Sequence, residues 1–282
     1  MPVSARLADA AAELDAARFV GRAATLRLVE HAIAGTSGHR ILHVHGPGGV
    51  GKSALLRAIE RTAGAARRPI VRLDGRTLGT DRDALETAIR SAATPGTVLL
   101  IDEMDELAPL RFEVRELLLE QLAASAVVVL AGRQAPGREW FDGGLEQLST
   151  RIALHPLPAA EGREMLRRYG VGTDVDVEAL LAWSAGYPLA LALAAASQGA
   201  ADGDTSSAGT GGGRLSSTGE GLDELLLARL TGHELADVDP DVLDVASVAP
   251  VVDARLLAAV LPGRATRAGL AQLRALSVAE AV

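Results

Sequence analysis

Two stretches, TVLLID (Thr97–Asp102) and AVVVLAG (Ala126–Gly132), are apolar with almost no interruption. They are short for core helices, and a strand with one solvated face would alternate apolar with polar. Continuous apolar runs of this length fit strands buried on both faces, which is the condition of a parallel sheet sandwiched between helices. Five strand candidates follow: Ile41–His45, Ile70–Asp74, Thr97–Asp102, Ala126–Ala131 and Arg151–Leu154. The stretches between them, such as SALLRAIERTAG and DRDALETAIRSAA, space their apolar residues near the helical period. The expected fold is therefore α/β, a three-layer sandwich with right-handed crossovers.

After about Pro158 the strand signal ends, and PAAEGREMLRRYG, VDVEALLAWSAG and YPLALALAAASQ read as helices. Ser197–Gly221 is built almost wholly from Gly, Ser, Thr, Ala and Asp, has little to bury, and reads as a flexible linker. Leu222–Val282 returns to helical patterning, beginning with LDELLLARLTG, and suits a small winged-helix-like module that stops where a β-wing is expected. The expected organisation is a helical N-terminal extension over 1–18, an α/β core over 19–157, a helical subdomain over 158–196, a linker over 197–221 and the winged-helix-like module over 222–282.

The phosphate chemistry is concentrated in GPGGVGKS, Gly46–Ser53, which fits G-x-x-x-x-G-K-[ST] between the apolar strand ILHVH and the helical SALLRAIE. Gly46, Gly48, Gly49 and Gly51 let the backbone curl until successive N–H groups face inward at phosphate oxygens. Pro47, Val50 and Ala54 complete the cradle, and the helix that follows directs the positive end of its dipole there. Of 28 basic residues, Lys52 is the single lysine. An ammonium on a flexible stem acts as a point charge inside a tight loop, where a planar guanidinium would not fit. The Ser53 hydroxyl is a candidate ligand for Mg²⁺.

TVLLIDEMDEL places Asp102 and Glu103 at the carboxyl end of a buried strand, where ligands gather on a parallel sheet. Asp102 is the second candidate for Mg²⁺, through water, and Glu103 the candidate for polarising an attacking water. Asp105 and Glu106 read as a solvated helix start. Arg133, at the end of AVVVLAGR, would meet a γ-phosphate. His43 and His45 share a strand face without a third ligand in sight, so a helix-covered sheet position is the expectation there.

Composition excludes several classes. The chain has no cysteine, hence neither disulfides nor thiolate metal sites. A net charge of −8 with 2% aromatic residues disfavours an electrostatic or stacking footprint for nucleic acid. No secretory pattern opens the sequence and no apolar run reaches membrane-spanning length, so a cytoplasmic protein is expected.

In this order and spacing the motifs resemble the STAND class of AAA+-related P-loop NTPases, signal-transducing ATPases found in large bacterial regulators, LuxR-type ones included, and in immune receptors. FVGR is similar to the box that lies against the adenine, GPGGVGKS to Walker A, LLIDE to Walker B, LAGR to the sensor strand and AGYPLALAL to a G-x-P motif. The resemblance implies an adenine pocket at Val20, Gly21 and Arg22, Pro188 near the base, and a helical lid over 158–196. It also implies sheet order 5-1-4-3-2, ATP/ADP with Mg²⁺ as cofactors, and a nucleotide-dependent switch that self-associates and resets by slow hydrolysis. Two family features find no match: a histidine in the winged helix, and the sensor and effector regions. A fragment, a truncated product and a stand-alone ATPase subunit all fit that departure. Three other readings stay open. The first is an AAA+ motor or loader using Arg111, Arg115 or Arg138 as an arginine finger; the second is a small-molecule kinase; the third is a non-hydrolysing nucleotide-bound scaffold.

Overall fold

A computed structural model describes residues 6–173, 175–202, 238–249, 252–262 and 266–275. The chain divides into two compact units, Met1–Gly203 and Asp204–Val282. In the first, helices α1 (Leu7–Arg18) and α2 (Ala23–Ala34) precede β1 (Ile41–His45), α3 (Lys52–Ala65), β2 (Ile70–Asp74), α4 (Gly75–Leu78) and α5 (Arg82–Arg90). Then come β3 (Val98–Asp102), a 3-10 segment Met104–Leu110, α6 (Arg111–Gln121), β4 (Val127–Gly132) and β5 (Ser149–Ala153). Helices α7 (Ala159–Arg168), α8 (Val177–Ser184) and α9 (Pro188–Asp202) close the unit.

The five strands pair in parallel throughout. Their order is β2-β3-β4-β1-β5, which counted from the β5 edge is 5-1-4-3-2. The strand carrying Arg133 at its end thus lies between the one leading into Gly46 and the one ending at Asp102. Side chains alternate across the sheet as a two-residue period requires. Leu42, Val44, Val98, Leu100, Val127 and Val129 face one core with residues of α2 and α3, among them Val29, Leu55 and Ile59. Ile41, Leu99, Ile101, Val128 and Leu130 face the other, with Leu85, Ile89, Val114 and Leu118 from α5 and α6. The apolar runs of β3 and β4 are buried along their whole length because helices cover both sides. β5 begins two residues earlier than its apolar pattern suggests, since Ser149 and Thr150 already pair with Ile41 and Leu42.

α7, α8 and α9 enclose a core of their own, made by Leu157, Met165, Leu166, Leu181, Leu191 and Ala195, with Val20 packed against it. Residues 197–202, read from sequence as linker, belong to α9. Ala200 and Ala201 favour continued helix, and the Ser197 hydroxyl donates back to the Ala194 carbonyl at 2.7 Å. The rest of the expected linker, 203–221, and the helix expected at LDELLLARLTG lie outside the described residues.

α1 has no buried residue and is held by polar contacts. Asp15 bridges Arg57 at 2.8 Å and Arg61 at 2.9 Å, both on α3. Arg168 of α7 donates to the Phe19 carbonyl at 2.7 Å.

In the second unit, helices Pro240–Val248, Ala254–Val260 and Thr266–Ala275 are described. They pack Val238, Val242, Leu257 and Leu273 together. Asp239 and Asp253 cap the first two, accepting from the N–H groups of Asp241 and of Arg255 and Leu256. No strand occurs among the described residues of this unit. Among the described residues no helix is long and apolar enough to cross a membrane.

Leu100 is fully buried at the centre of the sheet. Its truncation in Leu100→Ala is expected to lower unfolding free energy by about 2–5 kcal/mol in denaturant titrations of the purified protein.

Candidate functional site

β1 ends at His45 and the chain turns through Gly46–Gly51 into α3. The neighbouring strand forces the first residue of that turn. Leu154 donates its N–H to the His45 carbonyl at 2.7 Å, and a Cβ on Gly46 would stand 2.7 Å from the Leu154 carbonyl oxygen. Only glycine fits there. Gly49 and Gly51 adopt φ of 75° and 100°, the left-handed region that disfavours any side chain. Gly48, which the sequence places in the same role, is not among the left-handed glycines. Val50 is fully buried and pins the middle of the loop into the sheet core.

Lys52 opens α3 and is 8% exposed. Its Nζ donates to the carbonyls of Gly46 at 2.8 Å and Pro47 at 3.0 Å. Burial lowers the ammonium's pKa, while the nearby Glu103 and Asp105 carboxylates oppose that shift. Ser53 and Ala54 follow in the first helical turn, half-buried, where backbone N–H groups have no intrahelical acceptor.

Asp102 closes β3 at 5% exposure. Glu103 follows with φ 52° and ψ 51°, a left-handed conformation uncommon outside glycine and asparagine. Burial raises the Glu103 pKa, against the opposing pull of Arg76. Arg133, half-buried at the end of β4, acts electrostatically on both Lys52 and Glu103. Its N–H is fixed by the Asp105 carboxylate at 2.5 Å, and the Gln134 N–H donates to the same group at 3.3 Å. Asp105 is therefore not the solvated helix start its sequence context suggests. It fastens the end of β4 to the segment after β3, so Lys52, Asp102, Glu103, Asp105 and Arg133 converge at one end of the sheet.

The residues expected near a base are divided in role. Val20 packs on the helical core of α7–α9. Gly21 has φ 74°, and a Cβ there would collide with the Glu161 carboxylate of α7. Arg22, itself left-handed at φ 61°, donates from one nitrogen to the Val50 carbonyl at 3.0 Å and the His155 carbonyl at 2.7 Å. It ties the glycine loop to the chain leaving β5. Pro188, first residue of α9, lies against Gly51: its Cγ is 3.7 Å from the position a Cβ there would take. The next N–H, of Leu189, donates to the Gly49 carbonyl at 3.2 Å.

Two arginines absent from the sequence expectations touch the acidic pair. Arg72 of β2 meets Asp102 at 3.2 Å, and Arg76 of α4 meets Glu103 at 3.1 Å. Three residues separate them, but only the register Asp74↔Asp102 brings them opposite the carboxylates. His43 is buried edge-on against Trp140, ring centroids 4.8 Å apart, and burial foremost lowers its pKa to about 3. Of the arginine-finger candidates, Arg115 is engaged at the Glu139 carbonyl. Arg111 lines a cavity of about 340 Å³ with Asp105, Gln134 and Trp140, and Arg138 starts a short 3-10 turn.

Residues 42–131 match the model of the family described as ATPase family associated with various cellular activities (AAA). The match runs from β1 through β4 and takes in Gly46–Ser53, Asp102 and Glu103. It supports a nucleotide-binding P-loop domain of the AAA+ kind over that stretch, with α7–α9 and the second unit outside it. No curated protein matches the chain.

Because burial raises the folded-state pKa of Glu103, its ionised form opposes folding. That penalty is absent below the unfolded carboxylate range and grows as pH rises through the folded value. Glu103→Gln is thus expected to melt higher than the parent protein near pH 8 without nucleotide, with the gap closing towards pH 4.

Proposed function

We propose that the chain is a nucleotide-dependent switch, a STAND/AAA+-type regulatory ATPase that binds ATP and ADP with Mg²⁺ and hydrolyses ATP slowly. The observation that carries this reading is the seating of α9 on the glycine loop, through Pro188 at Gly51 and the Leu189 N–H on Gly49. A helical subdomain whose end rests on the phosphate cradle feels what the cradle holds. Arg22 supports the same reading, since it joins Val50 to His155 ahead of α7.

The binding roles follow from the chemistry of each group. Inward amides of Gly46–Ser53 take the phosphate oxygens. Lys52 exchanges the carbonyls of Gly46 and Pro47 for the β- and γ-phosphates. Glu103 orients and accepts a proton from water, and Arg133 meets the γ-phosphate. Val20, Gly21, Arg22 and Pro188 border the base.

No set of three or more His, Cys, Asp or Glu side chains placed to hold a metal occurs among the described residues. One hydroxyl and one buried carboxylate, Ser53 and Asp102, nevertheless suit Mg²⁺, which takes few protein ligands and shares phosphates and water. Bound there, it would supply charge neutralisation on the phosphates. Switching requires that ATP and ADP stabilise two arrangements of α7–α9 unequally. Of the arginine-finger candidates of the motor reading, Arg115 is held inside its own chain at the Glu139 carbonyl.

Lys52→Ala is expected to weaken ATP and ADP affinity by about 10- to 100-fold, the worth of losing charge-assisted hydrogen bonds, measured by calorimetry. Unchanged affinity would remove the assignment. Glu103→Gln should keep binding and slow turnover by about 10²- to 10⁴-fold. Light scattering of the parent protein with ATP, with ADP and with neither should give a larger mass with ATP alone; one mass in all three leaves no switch by assembly.

A further inference from the structure

His43 is 4% exposed, and its Nε2 has no hydrogen-bond partner among the described residues. A polar atom left bare at that depth is rare in a folded protein and calls for an occupant. In the β1–β4 register His43 stands beside Leu130. Leu130 and Ile41 face the core shared with α5 and α6, and the two-residue period puts His43 on that face too. Leu42 and Val44 face α3 instead. His43 therefore lies across the sheet from the helix that carries Lys52, and there it lines the cavity of about 340 Å³ that Arg111 borders. Small-molecule pockets start at about that size.

The cavity has a buried floor and an exposed mouth. Its floor includes His43, Leu130 and Trp140, with the Trp140 ring edge-on to the imidazole at 4.8 Å. Its mouth opens at Ala108, Arg111, Gln134 and Ala135. Asp105 also borders it, but both of its carboxylate oxygens already accept N–H groups, from Arg133 and Gln134. The Nε2 of His43 is what the lining leaves unpaired. Burial foremost lowers the His43 pKa to about 3, so the imidazole is neutral. A charge on the occupant would find no counter-charge beside that ring.

We propose that this cavity is a ligand site separate from the glycine loop, taking a small, uncharged, planar heteroaromatic molecule whose amide- or lactam-type edge pairs with His43 Nε2. A flat ring suits the contact surface of Trp140 and Leu130. An edge with N–H beside C=O serves either tautomer, since Nε2 accepts in one and donates in the other. Water is the competing occupant: it satisfies Nε2 and leaves the apolar floor without contacts. The site stands or falls apart from the ATPase reading.

The chain has two tryptophans, Trp140 and Trp183. In Trp183→Phe the indole N–H signal of Trp140 is a single reporter in ¹H–¹⁵N spectra. Titration of that protein with 2-quinolinone, a neutral bicyclic lactam, should move the signal saturably, with or without ATP and Mg²⁺. Adding His43→Phe keeps a ring and removes Nε2; it should weaken the lactam by about five- to fiftyfold. Adding Ala135→Phe fills the mouth from an exposed position; it should abolish the shift and leave the melting temperature in place. Absence of a saturable shift in the parent makes water the occupant and overturns the proposal. An unchanged Kd in either variant overturns it as well. If His43→Phe does not fold, Ala135→Phe decides. Competitive displacement of the lactam by ATP would put it in the nucleotide site and sink the separate one, whereas a protein that binds the lactam and no nucleotide keeps this site and loses the ATPase reading.

Discussion

A buried ammonium needs acceptors, and Lys52 finds them in the loop it belongs to. Its Nζ donates to the carbonyls of Gly46 and Pro47, while burial works against its charge. Those bonds require a loop curled tightly enough to turn carbonyls inward near the helix start, which Gly46 permits by passing close under Leu154. They also require carboxylates near enough to sustain the charge, and the end of β3 supplies them. The order of strands, with β4 between β1 and β3, is what gathers loop, acids and Arg133 within reach of one another.

The helical segment joins this centre through backbone groups, and the Glu161 carboxylate of α7 also acts electrostatically on Arg22. Arg22 spends its hydrogen bonds on two carbonyls, and Leu189 gives its N–H to Gly49. Backbone partners fix position without depending on salt, since the interaction is short-range. α1 is attached differently: Asp15 meets two arginines of α3, and those pairs are partly exposed. Its hold on the α/β core should accordingly be the part most sensitive to ionic strength.

What could be read from the sequence was what is local. Gly46–Ser53 carries its own geometry in its residue types, and the unbroken runs of β3 and β4 declare a sheet covered on both faces. The placing of Asp102, Glu103 and Arg133 at one end of the sheet was legible because each stands at the end of such a run. Arg72 and Arg76 were not, since nothing near them in sequence says which strand lies beside β2 or in what register. Asp105 was misread for the same reason: its partners, the N–H groups of Arg133 and Gln134, arrive from another strand. The contact of Gly21 with Glu161 joins residues far apart in the chain, and no spacing rule anticipates it. The end of α9 was missed because glycine and serine near Ser197 suggest a linker, whereas two alanines and a back-donating hydroxyl carry the helix on to Asp202.

The choice of arginine everywhere except in the glycine loop has a chemical side as well. Across these 282 residues there is one side-chain amine, and it is shielded from solvent by its own carbonyl partners. Acylating or reductively alkylating reagents, which pass over guanidinium groups, meet a single internal target, so the chemistry of one nitrogen becomes a direct gauge of whether the cradle is open.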